Sequence, residues 1–188
     1  MADDPRQRLI ASATALLADE GVEAVTLRRI ARAAGVSHGA PLRHFAGRTE
    51  LLSAVASTGF AELRARGEDL PGVGPRERLL AACRAYVEFA LENPAMFELM
   101  FRRDLVDPRQ PELSRGTGAV REQFGELVAR AQAGGWRADA DGALLTASLW
   151  AAVHGLAELW LCGELSPDRI DDTLDITLQA YLPPARGQ

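Results

Sequence analysis

The chain has 188 residues, 47% of them hydrophobic and 25% charged. That is ordinary for a soluble globular protein and gives room for one sizeable domain, or for a small module joined to a larger one. Two cysteines, Cys83 and Cys162, both in apolar helical patterns, exclude a disulfide framework and predict inert core thiols in a reducing compartment. The net charge of −5 argues against indiscriminate nucleic-acid binding, but it is unevenly spread: residues 1–67 carry 9 arginines against 7 acids, and residues 68–188 carry 12 against 19. This suggests a slightly basic module on an acidic body. The opening MADDPRQR runs into an amphipathic helix with no basic-then-apolar leader, which predicts a cytoplasmic protein.

In chain order, Arg6 to Glu20 reads as a helix, with Leu9, Ile10, Ala13, Leu16 and Leu17 at spacings of three and four and Gly21 as its stop. Thr26 is an N-cap for a second helix carrying Leu27, Ile30, Ala31 and Ala34 on one face. Gly35 ends it with a turn, and Ser37 is expected to cap a third short helix ending near His44. Arg48 to about Arg66 is a longer helix with Leu51, Leu52, Val55, Gly59 and Leu63 inward. The Pro/Gly stretch Glu68–Pro75 is the best internal boundary marker. Further helices follow over Arg76–Glu92 and from Pro94 through PAMFELMF. A mobile surface loop is expected from Arg102 to Gly118, then helices over Val120–Ala133, Asp139–Cys162 and Pro167–Leu182. No strand-like alternation persists, so the expectation is an all-α protein of about nine helices.

The run from Gly142 to Ala157 contains no Asp, Glu or Arg. A membrane span needs about 20 such residues. The run is shorter, contains His154 and is closed by Asp141 and Glu158, so it predicts no membrane association and a helix that is central or covered by a partner subunit.

Thr26–Phe45 has helix–turn–helix form. Ala31 and Ala34 are small enough for two helices to approach, Gly35 supplies a left-handed turn, and Val36 fills the space between the helices. The second helix is then free to lie across a DNA major groove. The longer segment TLRRIARAAGVSHGAPLRHFAGRTELLSAVA (Thr26–Ala56) resembles the DNA-binding signature of the TetR/AcrR family of transcriptional regulators. The resemblance covers about residues 6–66. Farther on, LWAAVHGLAEL (Leu149–Leu159) is similar to the Trp–His–Gly segment of one C-terminal subgroup of that family.

The resemblance implies a homodimer with an N-terminal helix–turn–helix domain (residues 1–47) that binds a double-stranded DNA operator, and a C-terminal helical bundle (residues 48–188) that binds a small-molecule effector and dimerises. One position departs from the pattern: Leu42 stands where the family usually has a tyrosine that bonds a DNA phosphate.

Candidate DNA-binding residues are Thr26, Arg28, Ser37, His38, Gly39, Pro41, Leu42, Arg43, His44 and Arg48. His38, Gly39 and Arg43 are placed to reach base edges; an arginine there either pairs with guanine or touches phosphate alone. Gly39 admits close backbone approach or mere tolerance, and Pro41 stiffens the segment near its start. His44 is a phosphate contact or a structural histidine, while Phe45 reads as core. Thr26, Ser37 and Arg48 sit at helix starts and are expected to position phosphates. Arg28 and Arg29 are ambiguous, at least one being a solvated face.

In the body, Phe60, Tyr86, Phe89, Phe97, Met100, Phe101, Phe124, Trp150 and His154 are candidate ligand-binding residues, with Met96 beside them; the alternative for each is core packing. His154 and Glu158, four apart on one face, orient a ligand, form a hydrogen-bonded structural pair or, less readily, hold a metal. Ser148, Ala151, Ala152 and Gly155 form a strip of small residues that, with Leu174, Thr177, Leu178 and Tyr181, suits a two-fold interface or intramolecular packing. No phosphate-binding glycine loop and no acid/base constellation points to an enzyme, and no cofactor or metal is expected. An all-helical adaptor that binds protein without DNA is the second reading.

Overall fold

The computed structural model describes residues 4–68 and 70–182 and, among them, eight α-helices and three short 3-10 turns with no strand. The helices are α1 (Pro5–Glu20), α2 (Leu27–Ala33), α3 (Arg48–Arg66), α4 (Pro75–Glu92), α5 (Pro94–Phe101), α6 (Pro111–Ala133), α7 (Gly142–Leu161) and α8 (Ile170–Tyr181). The chain divides into two compact units: residues 1–62 with 93–118, and residues 63–92 with 119–188. The division falls inside α3 and α6. The expected head, residues 1–47, lies within the first unit.

In the first unit the local signals act as the residue types dictate. Asp4 caps α1 by accepting the Arg6 N–H, and Pro5 occupies the first helical position, where its missing N–H costs nothing. Leu9, Ile10, Ala13 and Leu17 form the buried stripe of α1, which packs on α2 and α5. Thr26 caps α2, its hydroxyl oxygen accepting the Arg29 N–H at 3.3 Å. At Gly59, α5 comes so near α3 that a Cβ would meet the Met100 sulfur at 2.6 Å. Phe60, Phe97 and Met100 are buried, and Phe101 meets Phe60 edge-on and Phe97 at a tilt.

The expected loop Arg102–Gly118 is shorter and better anchored than its Pro, Gly and charge content suggests. Pro111 starts α6, Gln110 accepts the Leu113 N–H, and Gly116 gives room for Phe60, so residues 111–118 are helical. Within 102–110, Val106 is buried, and the Asp107 N–H donates to Ser53, a fully buried hydroxyl that itself donates to the Thr49 carbonyl. Buried polar groups of this kind are held by such reciprocal bonds.

In the second unit, α4, α7 and α8 pack on one another. Asp141 caps α7, accepting the N–H groups of Ala143 and Leu144. α7 is long and apolar enough to cross a membrane by length and composition alone, yet Leu149, Val153, Ala157 and Trp160 are buried within the fold. It is not buried all round, as a central helix would be: Leu144 is 69% exposed, Leu159 is 44% exposed, and Ser148 and Ala151 are exposed.

Candidate nucleic-acid interface and internal cavity

The expected third helix is the main local departure in the first unit. An α-helix starting at Ser37 needs an N–H on residue 41, and Pro41 has none. The Ser37 carbonyl instead accepts the Ala40 N–H at 2.9 Å, and Pro41–Arg43 form a 3-10 turn without a side-chain cap. Ser37 is exposed and does not act as the expected N-cap. The turn before it is well specified. Gly35 has φ +65°, its N–H reaches the Arg32 carbonyl, and the Val36 N–H reaches that of Ala31. This is the paired pattern of a glycine-terminated helix.

The candidate contact residues then separate by exposure. Arg28, Ser37, His38, Gly39, Leu42 and Arg43 are exposed, Thr26 and His44 are half-buried, and a Cβ on Gly39 would meet nothing. Pro41, expected at the contact surface, is buried and packs inward. Arg48, expected on phosphate, bonds the Val25 and Val22 carbonyls at 2.9 and 2.6 Å and lies 3.8 Å from Glu23, so it fastens the start of α3 to the turn before α2. Arg29 pairs with Glu20, which leaves Arg28 as the freely solvated arginine of the two. Beneath the exposed set, Phe45 is buried as expected, with the Arg6 guanidinium over its ring at 5.2 Å and Arg6 also bonded to Glu112.

The nine candidate ligand residues do not converge. Phe60, Phe97 and Met100 lie in the core of the first unit, and the half-buried Phe101 packs on Phe60 and Phe97 there. Phe89 is fully buried, with Arg66 over its ring at 5.3 Å. Tyr86, Phe124 and Trp150 do come together, lining a cavity of about 30 Å³ in the second unit. Trp150 meets both other rings edge-on at 5.8 Å. Residues missed by the sequence reading, Leu63, Gly67, Ala82, Ala85, Val120, Gln123, Leu127 and Val153, complete it. Their spacing is that of any inward helical face, so only Gln123, a polar group among apolar ones, carried a signal.

His154 touches this wall through the Tyr86 hydroxyl, 2.9 Å from its Nδ1, while its Nε2 lies 3.9 Å from Glu158. Burial lowers the basicity of His154 and Glu158 partly restores it, so the imidazole is neutral at pH 7. Burial, aided by Glu158, pushes the Tyr86 hydroxyl above its ordinary range, against a hydrogen bond from Trp150. Tyr86 and His154 therefore form a neutral hydrogen-bonded pair, with the Glu158 carboxyl beside it. Among the described residues no cluster of three ligating side chains accompanies it.

Of the expected interface residues, Leu174 and Leu178 are buried within the second unit, because α8 turns them toward α4 and α7. Thr177 and Tyr181 are half-buried, and the Tyr181 carbonyl accepts the Trp136 indole N–H at 3.0 Å. Ala152 and Gly155 are half-buried beside the exposed Ser148 and Ala151. The large apolar residue that α8 exposes is Ile176, at 68%. Cys83 is buried, its thiol pushed up to about 12 by desolvation, but Cys162 is exposed just past the end of α7 and is not the core thiol expected.

Comparison with known proteins identifies both halves. A family model described as bacterial regulatory proteins of the tetR family matches residues 9–55, and one described as the tetracyclin repressor-like C-terminal domain matches residues 79–181, more than half of the chain. The chain belongs to the TetR family of transcriptional regulators. The transcriptional repressor KstR of Rhodococcus jostii (strain RHA1) is 30% identical to this TetR regulator over 97 residues, 52% of this chain and 46% of that protein. The chain spans less than half the length of the curated relatives it matches. A solved protein of unknown function from Rhodococcus sp. RHA1 shares 30% identity and superposes with a TM-score of 0.82 over 96% of each chain. The TetR family regulator PfmR of Thermus thermophilus, 21% identical, has the same fold, with a TM-score of 0.71 over 96% of this chain and all of that one.

Proposed function

We propose that this TetR regulator is a cytoplasmic repressor that binds a pseudo-palindromic operator as a homodimer, residues 1–47 reading DNA and residues 48–188 dimerising and holding a small, largely apolar effector that releases it. The observation that carries the reading is the exposed set Ser37, His38, Gly39, Leu42 and Arg43, held out by a glycine turn and by the buried Pro41 and Phe45. Exposed polar and cationic groups on a helix–turn–helix edge suit phosphate and base contacts. Leu42, 60% exposed, offers an apolar contact in place of a phosphate bond. The exposed Leu144, Ala151 and Leu159 on α7 and Ile176 on α8 suit a self-complementary interface. The Trp–His–Gly likeness fits the placement of Trp150 and His154 at Tyr86.

The effector acts only by binding one of two states better. Titration of the DNA upstream of the gene across salt concentrations tests the reading: affinity falls linearly on a log–log scale, by about 0.9 of a power per phosphate neutralised. Absence of binding at low salt transfers the reading to a protein-binding adaptor.

A further inference from the structure

We propose that Gln123 is a latch closing an elongated site for an amphipathic small molecule, its apolar end inward and its polar end at the surface. This rests on the reading that the second unit holds the effector. Two cavities of that unit share Gly67, Gln123 and Leu127. One is the aromatic cavity of about 30 Å³ beneath Tyr86, Phe124 and Trp150. The other is an open cleft of about 390 Å³ whose walls carry Arg64, Arg78, Glu122 and Arg130. Polarity therefore changes between the two spaces, from charged in the open cleft to aromatic in the inner cavity. A ligand charged throughout would pay to enter the inner end, and a wholly apolar one would leave the outer groups without partners.

Gln123 stands at the junction. Its Nε2 donates to the Arg64 carbonyl at 3.0 Å, and the same carbonyl accepts the Gly67 N–H at 3.0 Å. The amide lies so close over residue 67 that a Cβ there would come within 2.5 Å of Oε1, so the closed position depends on glycine. Closed, the inner cavity holds no more than a water or two, far below the roughly 300–1,000 Å³ of ligand pockets. The amide is the end of a flexible side chain held by one hydrogen bond. A rotamer change withdraws it and joins the two spaces into one site of ligand size.

Anilinonaphthalene sulfonate, an aromatic body with one anionic group, is the probe, its binding followed by fluorescence on the full chain. Gln123→Ala removes the amide; Gln123→Glu keeps its length but offers no N–H to the Arg64 carbonyl. A closed latch raises the apparent Kd by the inverse of the open fraction, so both variants bind the probe roughly 2- to 10-fold tighter. Ala85→Leu grows into the inner cavity and abolishes the cavity-bound signal. Circular dichroism melts establish that each variant is folded. Unchanged or weaker binding in the two Gln123 variants, with Ala85→Leu still abolishing it, overturns the latch and leaves the effector site standing. Tighter binding in Gln123→Ala alone makes the residue a passive plug and also overturns the latch. Unchanged binding in Ala85→Leu removes the effector site itself.

Discussion

The exposed segment around residues 37–44 and the cavity beneath Trp150 are made by opposite means. In the first, backbone conformation does the placing: a positive-φ glycine, a proline without an N–H and a 3-10 turn hold Ser37, His38, Leu42 and Arg43 outward over two buried anchors, Pro41 and Phe45. In the second, regular helices bring large rings together, and the rings are both wall and core. Surface and scaffold are thus separable in the head and inseparable in the cavity. Exposed residues of the head can be exchanged without loss of fold, whereas a ring of the cavity cannot be removed without loss of packing.

That contrast can be broken first at Phe45. Phe45→Ala is expected to destabilise the protein by about 3–5 kcal/mol in denaturant melts, as for other buried phenylalanines, while Leu42→Ala three residues away stays within about 0.5 kcal/mol. Equal effects would show that the exposed segment is not separable from its scaffold. Gly35→Ala is next, at about 1–2 kcal/mol, because a Cβ is strained at its positive φ though nothing nearby obstructs it.

A smaller effect sharpens the cavity side. His154 is harder to protonate in the folded chain than in the unfolded one. The unfolded state therefore takes the proton first as pH falls below about 6.5, and stability is lost from there downward. His154→Gln is expected to flatten that part of the Tm-against-pH profile, and an unchanged profile would remove the histidine from the account. The smallest effect is chemical: a thiol reagent should modify native protein at Cys162 and spare Cys83, so that Cys162→Ser abolishes labelling.

Much of the head was readable in sequence because its determinants are local. Thr26 caps and Gly35 turns through residues within a few positions, and Phe45 closes the same local pattern; the structure places each as expected. Of the misread residues there, Arg48 has its partners elsewhere, on the carbonyls of Val22 and Val25, whereas Ser37 loses its cap locally, because Pro41 removes the helix it would have capped. The body was less legible. A phenylalanine on an inward face has the same sequence pattern whether it walls a cavity, as Phe124 does, or fills a core, as Phe97 does. Leu174 and Leu178 likewise share their periodicity with any interface leucine, and only the packing of α8 shows that they point inward. The helical half of Arg102–Gly118 was hidden because Gly116 signals a loop until Phe60 is seen beside it.

The most direct test is DNA binding of Arg43→Ala beside wild type, by fluorescence anisotropy on an operator selected from a random DNA pool. Arg43 is exposed at the end of the 3-10 turn, so its loss leaves the fold intact. The expected result is a loss of about 1–3 kcal/mol in affinity for the selected site with an unchanged melting temperature. Undiminished affinity in the variant would contradict the assignment of residues 37–43 as the surface that reads DNA.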